Sequence, residues 1–178
     1  MFQRPFFSPT ILSALALAIV VGLAPQAGAT TDLAQPNGEV ILKIGGDIGS
    51  SNQEGEAWFD LDMLKSLPAR EITTSSIWYE GTRTFVGVPL DVLLDTINAD
   101  GTTLKAVAVN AYAVTIPIDE SLRDGPILAY LMDGMEMPLR DKGPLWVVYP
   151  YDSDANFRNE IIYGRSIWQL ERLEVGSE

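Results

Sequence analysis

The chain has 178 residues, of which 24 are acidic and 12 are basic, and its formal net charge is −12. Such an acidic surface repels phosphate backbones and argues against nucleic-acid binding. The sequence contains neither cysteine nor histidine. It therefore excludes disulfides, iron–sulfur clusters, thiolate or imidazole metal ligands, and catalysis by a cysteine or a serine–histidine pair.

The N-terminal segment, residues 1–29, has the organisation of a secretory signal peptide. Arg4 precedes an apolar stretch over residues 9–24, and the small residues 27–29 (Ala-Gly-Ala) then form a cleavage site. We predict export to the periplasm, with a mature chain that begins at Thr30 and keeps no stable membrane span. The alternative is an uncleaved membrane anchor, although the apolar core is short for a span of about 20 residues.

The mature chain begins with small and polar residues at 30–38, predicted to be a linker, and residues 39–178 then form a single domain. Alternation of apolar and polar residues over 40–44 predicts the first strand. Asp60 is placed to cap a short helix over residues 61–67. The polar stretch between these two elements is predicted to be a solvated loop.

The next unit is predicted to contain two extended segments and a helix. Residues 71–75 and 83–86 are rich in β-branched side chains and flank a turn predicted at 80–82. Leucine and isoleucine then recur at helical spacing, which predicts an amphipathic helix over 89–97 with Pro89 at its first position.

The second half of the sequence is predicted to be mostly strands. Asp133-Gly134 is a hairpin signal, and the last strand changes its alternation near Glu171-Arg172, as a bulge would. The pattern predicts a β-rich α+β fold, with a mixed sheet or a partly closed barrel and two short helices at most. The predicted strands are 104–109, 112–116, 127–132, 145–149 and 167–175.

Two groups of carboxylates were weighed as sites. Residues 152–156 (Asp-Ser-Asp-Ala-Asn) resemble the start of a calcium loop, but Phe157 and Tyr163 replace the required glycine and glutamate. We interpret this segment as a polar turn. Asp91 and Asp95 lie one helical turn apart and are interpreted as a solvated helix face rather than an acid–base pair.

Five segments of the sequence are close to motifs that occur in the same order in a known family. Residues 72–78 (ITTSSIW) and 85–94 (FVGVPLDVLL) are close to a strand followed by W-x-G-V-P-L-x-x-L-L, and residues 129–138 (AYLMDGMEMP) are close to L-A-Y-x-x-N-G-x-x-L-P. Residues 142–145 (KGPL) and 166–170 (SIWQL) are close to H-G-x-P-L-R and to a closing K-W-L strand. Together they resemble the small molybdopterin-binding domain of the sulfite-oxidase type, in particular its short exported members.

The chain departs from this family at the residues that carry its redox chemistry. The family binds molybdenum through a cysteine thiolate four residues before the tryptophan of the first motif, and that position is Thr74 here. A hydroxyl stays protonated near neutral pH and is a much poorer ligand than a thiolate. The family's histidine is Lys142, and its following arginine is Trp146. We therefore expect no cofactor, and molybdopterin enters by the resemblance alone.

The resemblance also implies where a ligand would lie, because the family's cofactor covers loops that correspond to residues 73–78, 110–112 and 140–152. These loops carry hydroxyl, amide, aromatic and cationic side chains, as a ligand pocket requires. The candidate ligand-binding residues are Thr74, Ser75, Trp78, Asn110, Tyr112, Arg140, Lys142, Tyr149, Tyr151 and Asp152.

Arg140 and Lys142 stand out because the rest of the chain is strongly acidic. They indicate a small anionic ligand, and the alternative is that they pair with Glu136 or Asp141 at the surface, where such pairs contribute at most about 1 kcal/mol. The aromatic residues of the candidate set carry a similar alternative, since rings at strand ends either bind ligands or fill the end of the core.

The sequence favours one function and leaves two others open. The favoured function is an exported ligand- or partner-binding module, with a sensory role, that lacks molybdenum redox chemistry. The second is a molybdopterin-dependent oxidoreductase in which the pterin alone holds the metal. The third is a structural or interaction domain that binds a periplasmic protein and no small ligand.

Overall fold

The computed structural model describes residues 31–177 and the first two residues of the chain. Apart from those two residues, the predicted signal peptide lies outside the described part. Within that part, no helix is long and apolar enough to cross a membrane.

Residues 31–177 form twelve strands, three short α-helices and two 3₁₀ turns. The strands are β1 (Thr31–Asp32), β2 (Val40–Gly46), β3 (Ser50–Ser51), β4 (Ala57–Asp60), β5 (Arg70–Ser76), β6 (Tyr79–Pro89), β7 (Thr103–Ala108), β8 (Ala113–Pro117), β9 (Ile127–Met132), β10 (Met135–Glu136), β11 (Trp146–Val148) and β12 (Leu170–Gly176). The helices are α1 (Leu61–Ser66), α2 (Leu90–Thr96) and α3 (Glu160–Arg165).

The first five-stranded sheet has the order β4-β2-β12-β7-β8. Its central strand, β12, is parallel to β2 and antiparallel to β7, and the other pairs are antiparallel. The register between β12 and β7 shifts between Leu170 and Arg172, which confirms the predicted bulge.

The second sheet has the order β10-β9-β6-β5, and β11 also pairs with β9. Asp133 and Gly134 both have positive φ, as a two-residue hairpin between β9 and β10 requires, so the predicted hairpin is confirmed. Gly87 lies where the register of β6 against β9 shifts, and a Cβ there would approach the Leu128 carbonyl oxygen to 2.2 Å. Only glycine allows this close approach.

The inner faces of both sheets and one face of α2 share a single core. Leu42 and Leu173 of the first sheet, Phe85 of the second and Leu93 of α2 are all fully buried. Helix α2 buries its leucines because they recur every three to four residues, the spacing of one helix face.

The segment predicted as a linker is attached to the domain along its length. Strand β1 pairs in parallel with β3, and Asn37 and Gly38 donate their backbone N–H groups to Asp60. The other carboxylate oxygen of Asp60 accepts the Met63 N–H and caps α1, as predicted. These backbone donors lower the pKa of Asp60.

The β-rich class is confirmed, and within the described residues the sheets form no closed barrel. Three details of the prediction are wrong. The third helix, α3, was missed because six residues are too few to show a helical repeat; its start is marked by Asn159, whose side-chain oxygen accepts the Ile162 N–H. The turn predicted at 80–82 lies inside β6, and Pro89 ends that strand, so α2 begins one residue later.

Candidate functional site

Thr74, Ser75 and Asp152 form a hydrogen-bonded group that joins β5 to the turn after β11. We call this group the Asp152 clamp. The Asp152 carboxylate accepts the Ser75 N–H and the Ser75 hydroxyl, the latter at 2.7 Å. The Asp152 N–H donates to Thr74 Oγ1 at 3.1 Å. These donors, Ser75 foremost, lower the pKa of Asp152.

The clamp covers the position at which the resembled family carries its thiolate. Thr74 is 1% exposed, and its hydroxyl lies within hydrogen-bond distance of the Ser75 carbonyl and the Asp152 N–H. The chain itself therefore engages the Thr74 hydroxyl both as a donor and as an acceptor.

Trp78 follows β5 and lies at the centre of an aromatic cluster. Its ring makes edge-to-face contacts with Trp146, Tyr151, Tyr163 and Trp168, with centroid distances of 5.4 to 6.1 Å. Such contacts add to the burial of the rings and fix their orientation.

Lys142 adds a cation to this cluster. Its ammonium lies 4.7 Å from the centroid of Trp168, 5.4 Å from Tyr79 and 5.6 Å from Trp146, within the range of cation–π attraction. Tyr79 donates to Asp141, and burial together with that carboxylate raises the pKa of Tyr79 to about 12. The amine that replaces the family's histidine is thus held by rings.

A cavity of about 380 Å³ opens beside this cluster. Trp78, Tyr112, Tyr163 and Trp168 are among its walls, together with the amides of Asn110 and Gln169. Tyr112 is 54% exposed and Trp168 is 37% exposed. The cavity is therefore mostly apolar, has two amides, and is bounded by aromatic side chains that water still reaches.

The polar atoms of the two amides are only partly used within the described part of the chain. Asn110 Oδ1 accepts the Tyr112 N–H, but the amide nitrogen of Asn110 has no partner there. Gln169 Nε2 donates to the Leu139 carbonyl, and its side-chain oxygen has no partner there. One donor group and one acceptor at the cavity wall are thus unpaired among these residues.

The structure divides the ten predicted site residues among five places. Trp78, Asn110 and Tyr112 line the cavity, and Thr74, Ser75 and Asp152 form the clamp. Tyr149 and Tyr151 are 3% and 1% exposed and fill the core, where burial raises the pKa of both and that of Tyr151 to about 12. Lys142 lies over the rings, and Arg140 is exposed.

The surface pairs considered for Arg140 and Lys142 are not formed. Glu136 pairs with Lys65 at 2.8 Å, and Asp141 accepts from Tyr79. Among the described residues, neither Arg140 nor Lys142 has a carboxylate within 4.0 Å.

The sequence prediction missed one side of the cavity. Two of the three predicted loops reach it, but the third wall comes from Tyr163, Gly164 and residues 166–169 rather than from 140–152. The sequence motif at residues 166–170 predicts a closing strand. Its Trp168 forms only an isolated bridge with Trp146, and β12 begins at Leu170, so the residues before it are free to form a wall.

A larger cavity of about 590 Å³ lies elsewhere, against α2. Its walls include Asp91, Asp95, Asp119 and Glu120, and none of the ten predicted residues. Throughout the described residues, no group of three or more acidic side chains is arranged to hold a metal ion.

The residues around Thr74 do not fit a molybdenum centre. The position needs a thiolate, and it carries a buried hydroxyl that already contacts two backbone groups. The neighbouring carboxylate is engaged by Ser75, and the ammonium of Lys142 is held by aromatic rings. We therefore derive no reaction step through a metal.

No protein-family model and no curated protein matches this sequence. Among solved structures, the crystal structure of the sulfane dehydrogenase SoxCD from Paracoccus pantotrophus is similar, with a TM-score of 0.55 and 21% sequence identity. The match covers 76% of this chain and 37% of that chain. At this identity the likeness concerns the fold alone, and the chain spans little more than a third of its structural neighbour. The chain therefore shares its β-rich fold with part of this dehydrogenase, and the β-rich α+β class predicted from the sequence is confirmed.

Proposed function

We propose that this chain is an exported ligand-binding module that uses a molybdopterin-domain scaffold without molybdenum redox chemistry. The observation that supports binding most directly is the cavity beside Trp78. It has a volume of about 380 Å³, aromatic walls, and two side-chain amides that each keep one group unpaired among the described residues. Small-molecule sites in proteins share this character, mostly apolar with a few polar anchors.

The clamp supports the absence of redox chemistry. A metal approaching Thr74 would compete with the Asp152 N–H for the hydroxyl oxygen and would gain only a neutral oxygen ligand. The residues at this position therefore disfavour a catalytic molybdenum site, and we favour a binding function for the domain.

The proposed ligand is a small organic molecule, with a sensory role for the module. The anionic ligand predicted from Arg140 and Lys142 stays a prediction: neither side chain is paired with a carboxylate among the described residues, but neither lines the cavity. The ammonium of Lys142 lies over the ring of Trp168, and the same Trp168 side chain forms part of the cavity wall. A periplasmic protein partner that covers the exposed rings is the other form of binding to be tested.

The experiment is to express the chain with its own leader, isolate it from the periplasm, and measure intact mass, molybdenum and pterin. We expect a mass that begins at Thr30, no stoichiometric molybdenum, and no sulfite or sulfoxide turnover. Stoichiometric molybdenum with pterin would overturn the proposal in favour of an oxidoreductase whose pterin alone holds the metal. A full-length mass in the membrane fraction would overturn the export.

Thr74→Cys is the matched variant for the same preparation. It restores a thiolate at the family's position without a large change in side-chain volume. We expect it to remain free of molybdenum, because the Ser75–Asp152 hydrogen bonds, which the substitution does not remove, still hold the turn at Asp152 against the buried residue 74. Metal in the variant but not in the unchanged chain would show that only the ligand had been lost.

A further inference from the structure

We infer that the cavity beside Trp78 takes an uncharged aromatic molecule with a hydrogen-bonding edge. This inference rests on the proposed function and names the chemical class of ligand for the same site. We call the site the Trp78 cavity, defined by the walls Trp78, Tyr112, Tyr163 and Trp168 and by the amides of Asn110 and Gln169.

The charge of the walls selects against ions. Of the described residues that line the Trp78 cavity, none is aspartate, glutamate, lysine or arginine. Lys142 lies over the ring of Trp168 but is not part of the lining. An ionic ligand would lose its hydration at the walls without gaining a counter-charge, which is costly.

The walls select for aromatic rings. Trp78 is already fixed by edge-to-face contacts with neighbouring rings, so it presents a preset surface to a ligand. Tyr112 and Trp168 are 54% and 37% exposed, and a flat ligand between them would remove their apolar surface from water. Rigid aromatic walls also lose little side-chain freedom on binding.

The amides supply orientation. The Asn110 side chain has unpaired N–H donors, and the Gln169 side chain has an unpaired acceptor oxygen, as judged within the described part of the chain. The phenol groups of Tyr112 and Tyr163 also lack hydrogen-bond partners in that part. A ligand that carries both an acceptor and a donor matches this set, whereas a pure hydrocarbon leaves it unpaired.

Three probes share one ring and differ in charge: indole-3-acetamide is neutral, indole-3-acetate is an anion, and tryptamine is a cation. Binding is followed by quenching of tryptophan fluorescence and by chemical shifts. We expect the neutral probe to bind about tenfold more tightly than either ion, since an unpaired charge is costly to desolvate. Tightest binding by the anion, tightest binding by the cation, or binding by none of the three would each overturn the inference.

Two variants test whether the probe binds in this cavity. Gly164 lies in the wall within α3, and a Cβ there would meet no atom within 4 Å, so Gly164→Leu adds volume at the wall from a position with open space for its first side-chain carbon. Tyr112→Ala removes an exposed wall that makes no ring contact. Both should weaken the neutral probe by about tenfold or more, the loss expected for a well-placed aromatic anchor.

Ile161→Ala is the matched control, since Ile161 lies in the same helix as Gly164, is 66% exposed and is not part of the cavity wall. It should leave probe affinity unchanged. If Gly164→Leu fails to fold, Tyr112→Ala alone decides. Unchanged affinity in a folded Tyr112→Ala would overturn the assignment to this cavity.

The probe-binding and molybdenum measurements together distinguish a failure of this inference from a failure of the proposed function. If all three probes fail while the periplasmic protein is free of molybdenum, the ligand class is wrong and the binding module stands. If stoichiometric molybdenum and pterin are found, the module itself is wrong, whatever the probes do.

Discussion

The Asp152 clamp and the Trp78 cavity both begin within one short segment, residues 74–78. They differ in whether their polar groups are hydrogen-bonded to other parts of the chain. In the clamp, the Asp152 carboxylate and the Thr74 hydroxyl are engaged by other parts of the same chain. In the cavity, the amides of Asn110 and Gln169 keep unpaired atoms among the described residues. A saturated group supports the fold, whereas an unsatisfied group beside an open space is available to a ligand.

The largest expected effect comes from the buried ring that packs against Trp78. Trp146 is fully buried, packs against Trp78 and Phe85, and donates its indole N–H to the Ser166 carbonyl at 3.0 Å. Trp146→Ala should lower the free energy of unfolding by about 3–5 kcal/mol, as large core truncations do. Urea unfolding measures it.

Trp58→Ala is the control for this prediction. Trp58 is only half-buried, with its indole N–H on Glu56, so the loss should be smaller. Equal losses of unfolding free energy in the two variants would show that the buried Trp146 contributes no more to stability than the half-buried Trp58.

A smaller effect is expected inside the clamp. Thr74→Val keeps the shape of the side chain and removes the oxygen that accepts the Asp152 N–H. We expect a loss of about 1–2 kcal/mol, because a backbone donor loses its partner next to a buried position. Thr73→Val, at an exposed neighbour, should cost less than about 0.5 kcal/mol in the same unfolding experiment.

The charge of the clamp gives a pH-dependent effect. The Ser75 donors depress the pKa of Asp152, so its contribution is present above the unfolded-state value of about 3.9 and disappears as the pH falls through the lower, folded-state value. Asp152→Asn should therefore cost about 1 kcal/mol or less near pH 7, since the group is exposed. Below about pH 4 the two proteins should converge. A difference that persists in acid would contradict the charged clamp.

The smallest effect on stability is expected at the cavity. Tyr112→Ala removes a side chain that is 54% exposed, and it should change the free energy of unfolding by less than about 0.5 kcal/mol. The contrast with Thr74→Val sharpens the comparison, because the cavity variant should lose ligand and keep stability. A loss above about 1 kcal/mol would mean that Tyr112 supports the fold.

Local features of this fold could be predicted from sequence, and long-range ones could not. Asp60 caps α1 through a residue three positions away, and the leucines of α2 repeat within one helix. The pairing of Ser75 with Asp152 joins residues 77 positions apart. No local pattern specifies such a partner, so the sequence placed both residues in a site without showing that they bind each other.

The cavity illustrates the same limit. Trp78, Asn110 and Tyr112 were predicted from the loops that the resembled family uses. The wall at Gly164 and Trp168 was missed, because a helix of six residues is too short to show a helical repeat and the last strand was predicted to begin too early. Lys142, whose ammonium lies over Trp168, and Gln169, which follows Trp168, both have positive φ. No local sequence pattern predicts this backbone conformation at either residue.

The position of β12 has a consequence for how the chain is made. The strand lies in the middle of its sheet, between β2 near the start of the domain and β7. During synthesis, β2 emerges from the ribosome first and its parallel neighbour last, so the sheet cannot be completed until β12 has been translated. Until then, β2 and β7 lack the strand that joins them, so this sheet forms late.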